Sequence, residues 1–409
     1  MASGTDNNKM ILYSCWRSSC SHRVRIALNL KEFLKLNPVG YVPVLVDGDF
    51  VVFDSFAIIM YLEDKFPQHT LLPCDIQKRT INFQVANIVA SSIQPSQNLA
   101  IMKLKKKWFR KQGFYQVDSG ENIYGDIPPE IDRLFPKFDP QKSIEEKVSS
   151  DQKLSRINSV IRKGFTAIEK LLKNFTGRYA TGDEVHLATG SDNNDNKLIL
   201  YSFWRSSCAF RVQIALNFKG LKYEYKAVNL WKEQQSHPEF LKLNPVGFVP
   251  VLADGDFVVS DSFAIIMYLE DKFPQHPLLP RDIQKRTINF QVASIVSSSI
   301  QPMQNLTLLK CIDETINPAK KLPWLSRVFI RKGFTALEKL LKDHAGRYAT
   351  GDEVFLNGPG GDLQLTLGYS MQTEFPILAR LNETYKEIPA FREALPENQP
   401  DAPSQGHTS

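Results

Sequence analysis

Residues 200–218 read LYSFWRSSCAFRVQIALNF, and residues 12–30 repeat the pattern as LYSCWRSSCSHRVRIALNL. In each copy a short apolar run typical of a strand leads into a polar turn, and apolar residues then recur at helical spacing. A strand followed directly by a helix brings the free amide groups of the helix start, with the serine hydroxyls of the turn, to the carboxyl edge of a sheet. This arrangement is a ready site for an anion, and we expect that anion to be a thiolate.

The chain contains this unit twice, and both copies depart from the common pattern. Ser18 matches Ser206 at an offset of 188 residues, whereas Glu32 matches Glu239 at an offset of 207. The first copy therefore lacks the 19 residues that correspond to 220–238 of the second. It also carries 38 additional residues further along, where the offset falls from 207 to 169. Repetition over this length indicates a tandem duplication.

The second copy predicts the order β-α-β-α-β-β-α followed by an all-helical region, so the expected fold class is α/β plus all-α. Strands are expected over 197–203, 223–228, 250–253 and 257–260, and helices over 208–218, 238–243 and 262–272. The dipeptide Asp254-Gly255 predicts the hairpin between the last two strands. Beyond residue 281 strand signals disappear, and amphipathic runs at 287–309, 324–343 and 375–385 indicate helices.

The missing segment removes the second strand of the first copy. Only the six residues from Glu32 to Asn37 remain to cross the sheet, and six extended residues span about 20 Å. They cannot form a helix at the same time, so we expect the first α/β domain to be degenerate. The additional residues show no sustained period and are rich in polar residues, Gly and Pro, which predicts a loop or disorder.

These observations divide the chain into six segments. In order they are a degenerate α/β domain (9–73), a truncated helical domain (74–186) with an insertion at about 105–143, a linker (187–196), an intact α/β domain (197–280), a helical domain (281–399) and a disordered tail (400–409). Below, the first copy means residues 9–186 and the second copy means residues 197–399.

Composition argues against several classes of protein. The chain has 409 residues, 43% hydrophobic and 23% charged, which is ordinary for a globular protein. A net charge of +6 is modest, and we interpret the basic cluster at 103–111 as solvated surface, so no nucleic-acid partner is implied. Five cysteines at irregular spacing favour reduced thiols over a disulfide framework or a metal site. No membrane span or targeting signal is recognisable, so we expect a cytoplasmic protein without a membrane partner.

Five segments of the second copy resemble the zeta class of glutathione transferases, the maleylacetoacetate isomerases. They read SSCAFRVQIALNFKGLKYEYKAVNL (206–230), EFLKLNPVGFVPVL (239–252), DSFAIIMYLEDKFP (261–274), SSSIQPMQNL (297–306) and YATGDEVFL (348–356). The resemblance covers most of 197–354 and resumes over 375–404. In the first copy it covers about 9–104 and 144–186, apart from the deletion.

This resemblance implies a thioredoxin-like domain that binds glutathione as cofactor, a helical second domain, and a homodimer. It implies glutathione-dependent isomerisation of maleylacetoacetate to fumarylacetoacetate in tyrosine and phenylalanine breakdown, with transferase or peroxidase side activity on small electrophiles. The alternative is a non-catalytic binding or dimerisation module derived from a degenerate duplicate. The duplication also allows the two copies to pair within one chain.

The serines of the turn are the candidate catalytic residues. A hydroxyl donor and a helix N-terminus both lower the pKa of a thiol from roughly 8.5, although Ser206 and Ser207 could equally only cap the helix. The resemblance implies that Ser206 stabilises the thiolate and that Ser207 assists. Cys208 either exchanges with the substrate thiol or is a buried, inert side chain.

Further candidates lie in the loops that follow. The resemblance implies a cis Val249-Pro250 bond that leaves the backbone of Val249 to pair with a peptide-like ligand; a strand-opening proline is the alternative. Capping and capture of the γ-glutamyl end of glutathione are both expected at Asp261 and Ser262. The remaining matches to glutathione-contacting positions are Gln235, Gln301, Asn305 and Thr307, although the Gln-Pro sequence at 301 could be only a polar kink in a helix.

The first copy retains part of this set. The counterpart of Gln235 is deleted, so we interpret the first copy as a non-catalytic partner with an impaired site. The retained counterparts are Ser18, Ser19, Cys20, Val42, Asp54, Ser55, Gln94 and Asn98.

One segment of the second copy departs from the resemblance. Where the family has a buried helix bearing an arginine near the substrate carboxylates, residues 357–361 read NGPGG and cannot begin or sustain a helix. No arginine follows before Arg380, so we expect this segment to lack the substrate clamp of the family.

Overall fold

The structure is a computed structural model that describes residues 11–13, 43–68, 70–94, 162, 164–173, 197–304, 330–355 and 371–403. In the first copy its elements are β1 (Ile11–Tyr13), β2 (Val44–Asp47), β3 (Phe50–Phe53), α1 (Ser55–Lys65) and α2 (Ile76–Asn87). A π-helical turn, Ile88–Ile93, continues α2, and residues 164–172 include a further helical stretch.

The second copy repeats these elements and adds others. They are β4 (Leu198–Ser202), α3 (Ser207–Phe218), β5 (Tyr223–Ala227), α4 (Pro238–Leu243), β6 (Val251–Asp254), β7 (Phe257–Ser260), α5 (Ser262–Lys272), α6 (Ile283–Ser294), α7 (Arg331–Lys342), α8 (Met371–Glu374), α9 (Pro376–Lys386) and α10 (Pro389–Ala394). A π-helical turn, Ile295–Ile300, again follows α6. The predicted bounds of α4 and α5 are confirmed, and those of the strands are confirmed to within one or two residues.

The sheet of the second copy has the order β5-β4-β6-β7. Strand β4 is parallel to β5, with Leu200 opposite Tyr225, and antiparallel to β6, with Leu200 opposite Leu252. In the described part of the first copy the sheet has three strands in the order β1-β2-β3, with none at the position that β5 takes in the second copy. Both sheets keep the β-hairpin that leads into the helix carrying the Asp-Ser pair.

Helix α3 lies on the sheet because its apolar residues recur on one face. Val212, Ala215 and Leu216 are fully buried, and they belong to the same core as Leu200 of β4 and Leu269 of α5. The helix ends where Gly220 adopts a φ of +67°, since Leu221 N–H then donates to the Leu216 carbonyl at 2.9 Å. A left-handed glycine thus closes the helix.

The two copies pack against each other through helices that correspond in sequence. Helix α2 of the first copy packs on α5 of the second, and α6 packs on α1. At the centre of the interface the rings of Phe56 and Phe263, which are 207 residues apart, meet edge to face at 5.0 Å. The rings of Phe83 and Phe290 flank this pair at about 6 Å, each against the Phe of the other copy.

The polar contacts of this interface are also reciprocal. Arg79 pairs with Asp271 at 3.2 Å, and Arg286 pairs with Asp64 at 3.3 Å. Because each residue of one pair lies 207 positions from its counterpart in the other, the pairs are exchanged by a two-fold rotation. The contacts between the two copies are therefore pseudo-symmetric.

No helix in the described parts of the chain combines the length and the apolar character needed to cross a membrane.

We predict that Arg79→Ala lowers the free energy of unfolding by about 1–2 kcal/mol at neutral pH, because it leaves a half-buried carboxylate without its cation. Burial raises the pKa of Asp271, and the nearby Arg79 opposes that shift. The loss should therefore shrink as the pH falls and Asp271 becomes protonated. Urea denaturation at pH 7 and pH 4.5 measures both effects.

The matched control is Lys242→Ala. It breaks an ion pair with Glu239 in which both side chains are largely exposed, so the expected change is below about 0.5 kcal/mol at either pH. An Arg79→Ala effect as small as this would contradict the stabilising role of the inter-copy pair.

Candidate functional site

The turn between β4 and α3 presents the two serines that the sequence singled out. Ser206 is the N-cap of α3, and its Oγ accepts a hydrogen bond from Ala209 N–H at 3.2 Å. A serine hydroxyl that accepts in this way keeps its own proton, which it can donate to an anion. Ser206 and Ser207 are both partly exposed, so a ligand can reach them. Capping and anion binding are thus compatible at Ser206.

Gln301 reaches this turn from the helical region. Its Nε2 donates to Ser207 Oγ at 2.9 Å and to Cys208 Sγ at 2.6 Å. Its Oε1 accepts from Arg211 Nη2 at 2.9 Å. The structure therefore brings together three of the predicted residues, and Cys208 is partly exposed rather than fully buried.

Arg211 is a site residue that the sequence analysis missed. It lies on α3 one turn beyond Cys208, and besides its bond to Gln301 it acts electrostatically on Asp261, where its positive charge lowers the pKa. The spacing of three residues from Cys208 was the available signal, because residues at that spacing share a helix face.

Asp261 and Ser262 begin helix α5. Asp261 has a φ of +80°, and its Oδ1 accepts from the backbone N–H groups of Phe263 and Ala264, each at 3.0 Å. Its Oδ2 accepts from Asn87 Nδ2 of the first copy at 2.6 Å. Burial raises the pKa of Asp261, and its hydrogen bonds with Ala264 and Asn87 oppose that shift. Ser262 is buried beside it.

Val249 and Gln235 lie on neighbouring loops. The Val249–Pro250 peptide bond is cis, as the resemblance implied. Val249 is buried in a small apolar cluster with Phe203, the residue that follows β4 before the serine turn. Gly247, with a φ of +72°, lets the two loops meet, because a Cβ there would lie only 3.1 Å from the Gln235 carbonyl oxygen. The side-chain Oε1 of Gln235 is buried and has no hydrogen-bond partner among the described residues.

The C-terminal segment supports the serine turn from outside. Asp401 Oδ2 accepts from Trp204 N–H at 3.2 Å, and Asp401 Oδ1 accepts from Tyr225 O–H at 2.6 Å. Residues 400–403 fall within the predicted disordered tail, yet these two hydrogen bonds hold them against the sheet. The composition of the tail gave no sign of this contact, since its partners lie more than 170 residues earlier.

In the first copy Asp54 also caps a helix with a φ of +90°, accepting from Phe56 N–H at 2.9 Å. Ser55 is buried, and Gln94 follows the π-helical turn. The other predicted site residues lie outside the described residues, and so does the 357–361 segment; they are Ser18, Ser19, Cys20, Val42, Asn98, Asn305 and Thr307. Within the described ranges no group of three or more His, Cys, Asp or Glu side chains could hold a metal ion.

Two family models of known proteins match segments of this chain. Residues 196–271 match the family model described as "Glutathione S-transferase, N-terminal domain", and residues 31–70 match a second model with the same description. A protein from Euphorbia esula named "Glutathione S-transferase zeta class" is 56% identical over 53% of this chain and 98% of its own length. "Maleylacetoacetate isomerase" from Dictyostelium discoideum is 42% identical over 52% of this chain and 99% of its own.

Among solved structures, that of maleylacetoacetate isomerase from Anaeromyxobacter dehalogenans 2CP-1 is 35% identical, with a TM-score of 0.47, and the match covers 53% of this chain and 98% of that one. Each of these relatives thus corresponds to about half of this chain.

We predict that Asp401→Ala lowers the free energy of unfolding by about 1–2 kcal/mol, because it removes the acceptor of two partly buried hydrogen bonds. The variant should also lower the pKa of Tyr225, which burial and the Asp401 carboxylate raise. Urea denaturation and a spectrophotometric tyrosine titration measure the two effects. Glu397→Ala, at an exposed position of the same segment, is the control and should leave both unchanged.

Proposed function

The chain belongs to the zeta class of glutathione S-transferases, and from this we propose that it catalyses the glutathione-dependent cis–trans isomerisation of maleylacetoacetate to fumarylacetoacetate. This reaction is a step of tyrosine and phenylalanine breakdown. Glutathione is the cofactor, because its thiol is returned unchanged, and transfer to small electrophiles or peroxidase chemistry is a side activity of the same thiolate. The proposal includes a cytoplasmic location, because the cytoplasm is a compartment in which cysteine thiols stay reduced.

The observation that carries the proposal is the serine turn at the start of α3, joined to the helical region by Gln301. Ser206 O–H and the free amides of the helix start stabilise a thiolate, so more of the thiol is ionised at neutral pH. The thiolate adds to one carbon of the cis double bond, and the electron pair moves toward the conjugated carbonyl. The bond that was double is then single and rotates. Elimination of the thiolate restores the double bond in the trans geometry.

The remaining residues place the tripeptide so that its sulfur reaches Ser206. The Asp261 carboxylate binds the amino group of the γ-glutamyl end of glutathione. The α-carboxylate of the same γ-glutamyl end binds Ser262 and the start of α5, which lie beside Asp261. The backbone of Val249 pairs with the cysteinyl peptide unit. Gln235, whose buried Oε1 has no partner in the described chain, is available to a donor on the ligand.

We further propose that the chain is a tandem duplicate whose copies pair within one molecule, so that the first copy serves as the partner subunit. The reciprocal ion pairs and the four phenylalanines at the interface support this arrangement. The first copy is the non-catalytic member, since the deletion removes the counterpart of Gln235.

Sedimentation equilibrium should accordingly give the mass of one chain, 46.6 kDa. The surfaces through which family members are expected to dimerise are already occupied by the other copy. A mass of two chains that persists on dilution would contradict intrachain pairing.

We predict that Ser206→Ala lowers kcat/KM for isomerisation by about 100-fold or more, because it removes a hydrogen bond made to the developing charge. Loss of the cap alone costs only about 1 kcal/mol of stability. Two companion variants separate these roles. Ser206→Thr keeps both the cap and the hydroxyl donor, and should keep activity.

Ser206→Asp keeps the cap but, when ionised, has no proton to donate, so it should fold normally and be inactive. Turnover that survives in Ser206→Ala or Ser206→Asp would show that this hydroxyl does not stabilise the thiolate. A wild-type chain without glutathione-dependent turnover would favour the non-catalytic binding module instead.

A further inference from the structure

The first copy reaches into the candidate glutathione site of the second copy. Asn87 is the last residue of α2, and its Nδ2 donates to Asp261 Oδ2 at 2.6 Å across 174 residues of sequence. Asn87 is only 9% exposed, so water competes little for this bond. A residue of the degenerate copy is thus in direct contact with a proposed ligand-binding carboxylate.

This contact breaks the symmetry of the interface. The two ion pairs are exchanged by the pseudo-two-fold rotation, but the position equivalent to Asn87, 207 residues later, is Ser294. A serine side chain is one bond shorter than that of asparagine and has no amide group. The first copy, which faces the intact site of the second, therefore has the amide at this position. The second copy, which faces the impaired site of the first, does not.

The Asn87 amide adds a third hydrogen bond to the Asp261 carboxylate. An ionised carboxylate has about four acceptor positions. The N–H groups of Phe263 and Ala264 occupy two on Oδ1, and Asn87 occupies one on Oδ2. The carboxylate is then fixed from both ends, with acceptor capacity left on Oδ2 for one further donor. An ammonium group is the donor that such a carboxylate binds best.

We propose that Asn87 is a positioning residue that the first copy supplies to the second copy's glutathione site, where it holds Asp261 oriented toward the amino group of the γ-glutamyl end. The proposal rests on the proposed function, since it assumes that Asp261 binds glutathione. In this proposal the first copy completes the glutathione pocket of the second copy. The first copy can do this even though its own site is impaired.

The test is Asn87→Ala in the full-length chain, with kinetics of isomerisation at varied glutathione and titration calorimetry with glutathione. Because Asn87 acts on cofactor binding and not on the reacting atoms, KM for glutathione should rise about tenfold while kcat at saturating glutathione stays unchanged. The Kd should rise by the same factor, which also measures the effect without turnover. Asn87→Ser, which introduces the residue found at the equivalent position of the second copy, should raise KM and Kd by a similar factor. It replaces Asn87→Ala in the test if that variant folds poorly.

Arg79→Ala is the matched control. It weakens the same helix interface through the Asp271 ion pair without contacting Asp261, so KM and Kd for glutathione should remain at the wild-type values. Equal losses in Arg79→Ala and Asn87→Ala would mean that any loosening of the interface affects the site, and would overturn a specific role for Asn87.

Asp261→Asn separates this inference from the proposed function. If Asp261 binds glutathione, Asp261→Asn should raise Kd, and adding Asn87→Ala to it should cost little more, because both changes remove one coupled interaction. If Asp261→Asn weakens binding but Asn87→Ala does not, the positioning role is overturned and the site stands. If Asp261→Asn leaves Kd unchanged, the assignment of Asp261 fails, and the role of Asn87 fails with it.

Discussion

The edge-to-face contact of Phe56 with Phe263 is the interaction around which the rest of the molecule is arranged. Each ring comes from the first turn of the helix that begins at the Asp-Ser pair, so the same short segment carries both the interface and the candidate binding residues. Packing these rings against Phe83 and Phe290, which are both buried, removes large apolar surfaces from water in both copies at once. The first copy thereby shares one hydrophobic core cluster with the second copy.

The candidate site depends on this packing because its parts come from distant segments. The serine turn is local, being the N-terminus of α3 directly after β4. Gln301 comes from the helical region, Asp401 from the C-terminal segment, and Asn87 from the other copy. Each distant side chain forms a hydrogen bond at a helix start or at the turn before it, where the helix leaves its first backbone N–H groups unpaired. The helix starts thus provide the polar groups of the candidate site, and side chains from distant parts of the chain hold those groups in place.

Local patterns were sufficient to predict the strands and helices of the α/β domain in the second copy. The Asp-Gly dipeptide between β6 and β7 determines the backbone geometry of its turn through two residues, so this hairpin could be predicted from the sequence. The serine turn and the Asp-Ser pair were found in the same way. Arg211, Asn87 and Asp401 were not, because their roles come from contacts across the folded chain. Self-alignment at an offset of 207 residues predicted the repeat, but it could not tell which differences between copies matter at the interface.

Covalent connection of the two copies changes how this interface responds to mutation and to dilution. In a homodimer every substitution occurs twice, so the two faces of an interface cannot diverge. Here each copy mutates alone, and the Asn87 and Ser294 positions have separated while the arginine pairs have not. Since the partner is tethered, its local concentration is set by the linker and not by the amount of protein. In the proposed arrangement, a catalytic copy joined to its supporting copy stays assembled even at low protein concentration.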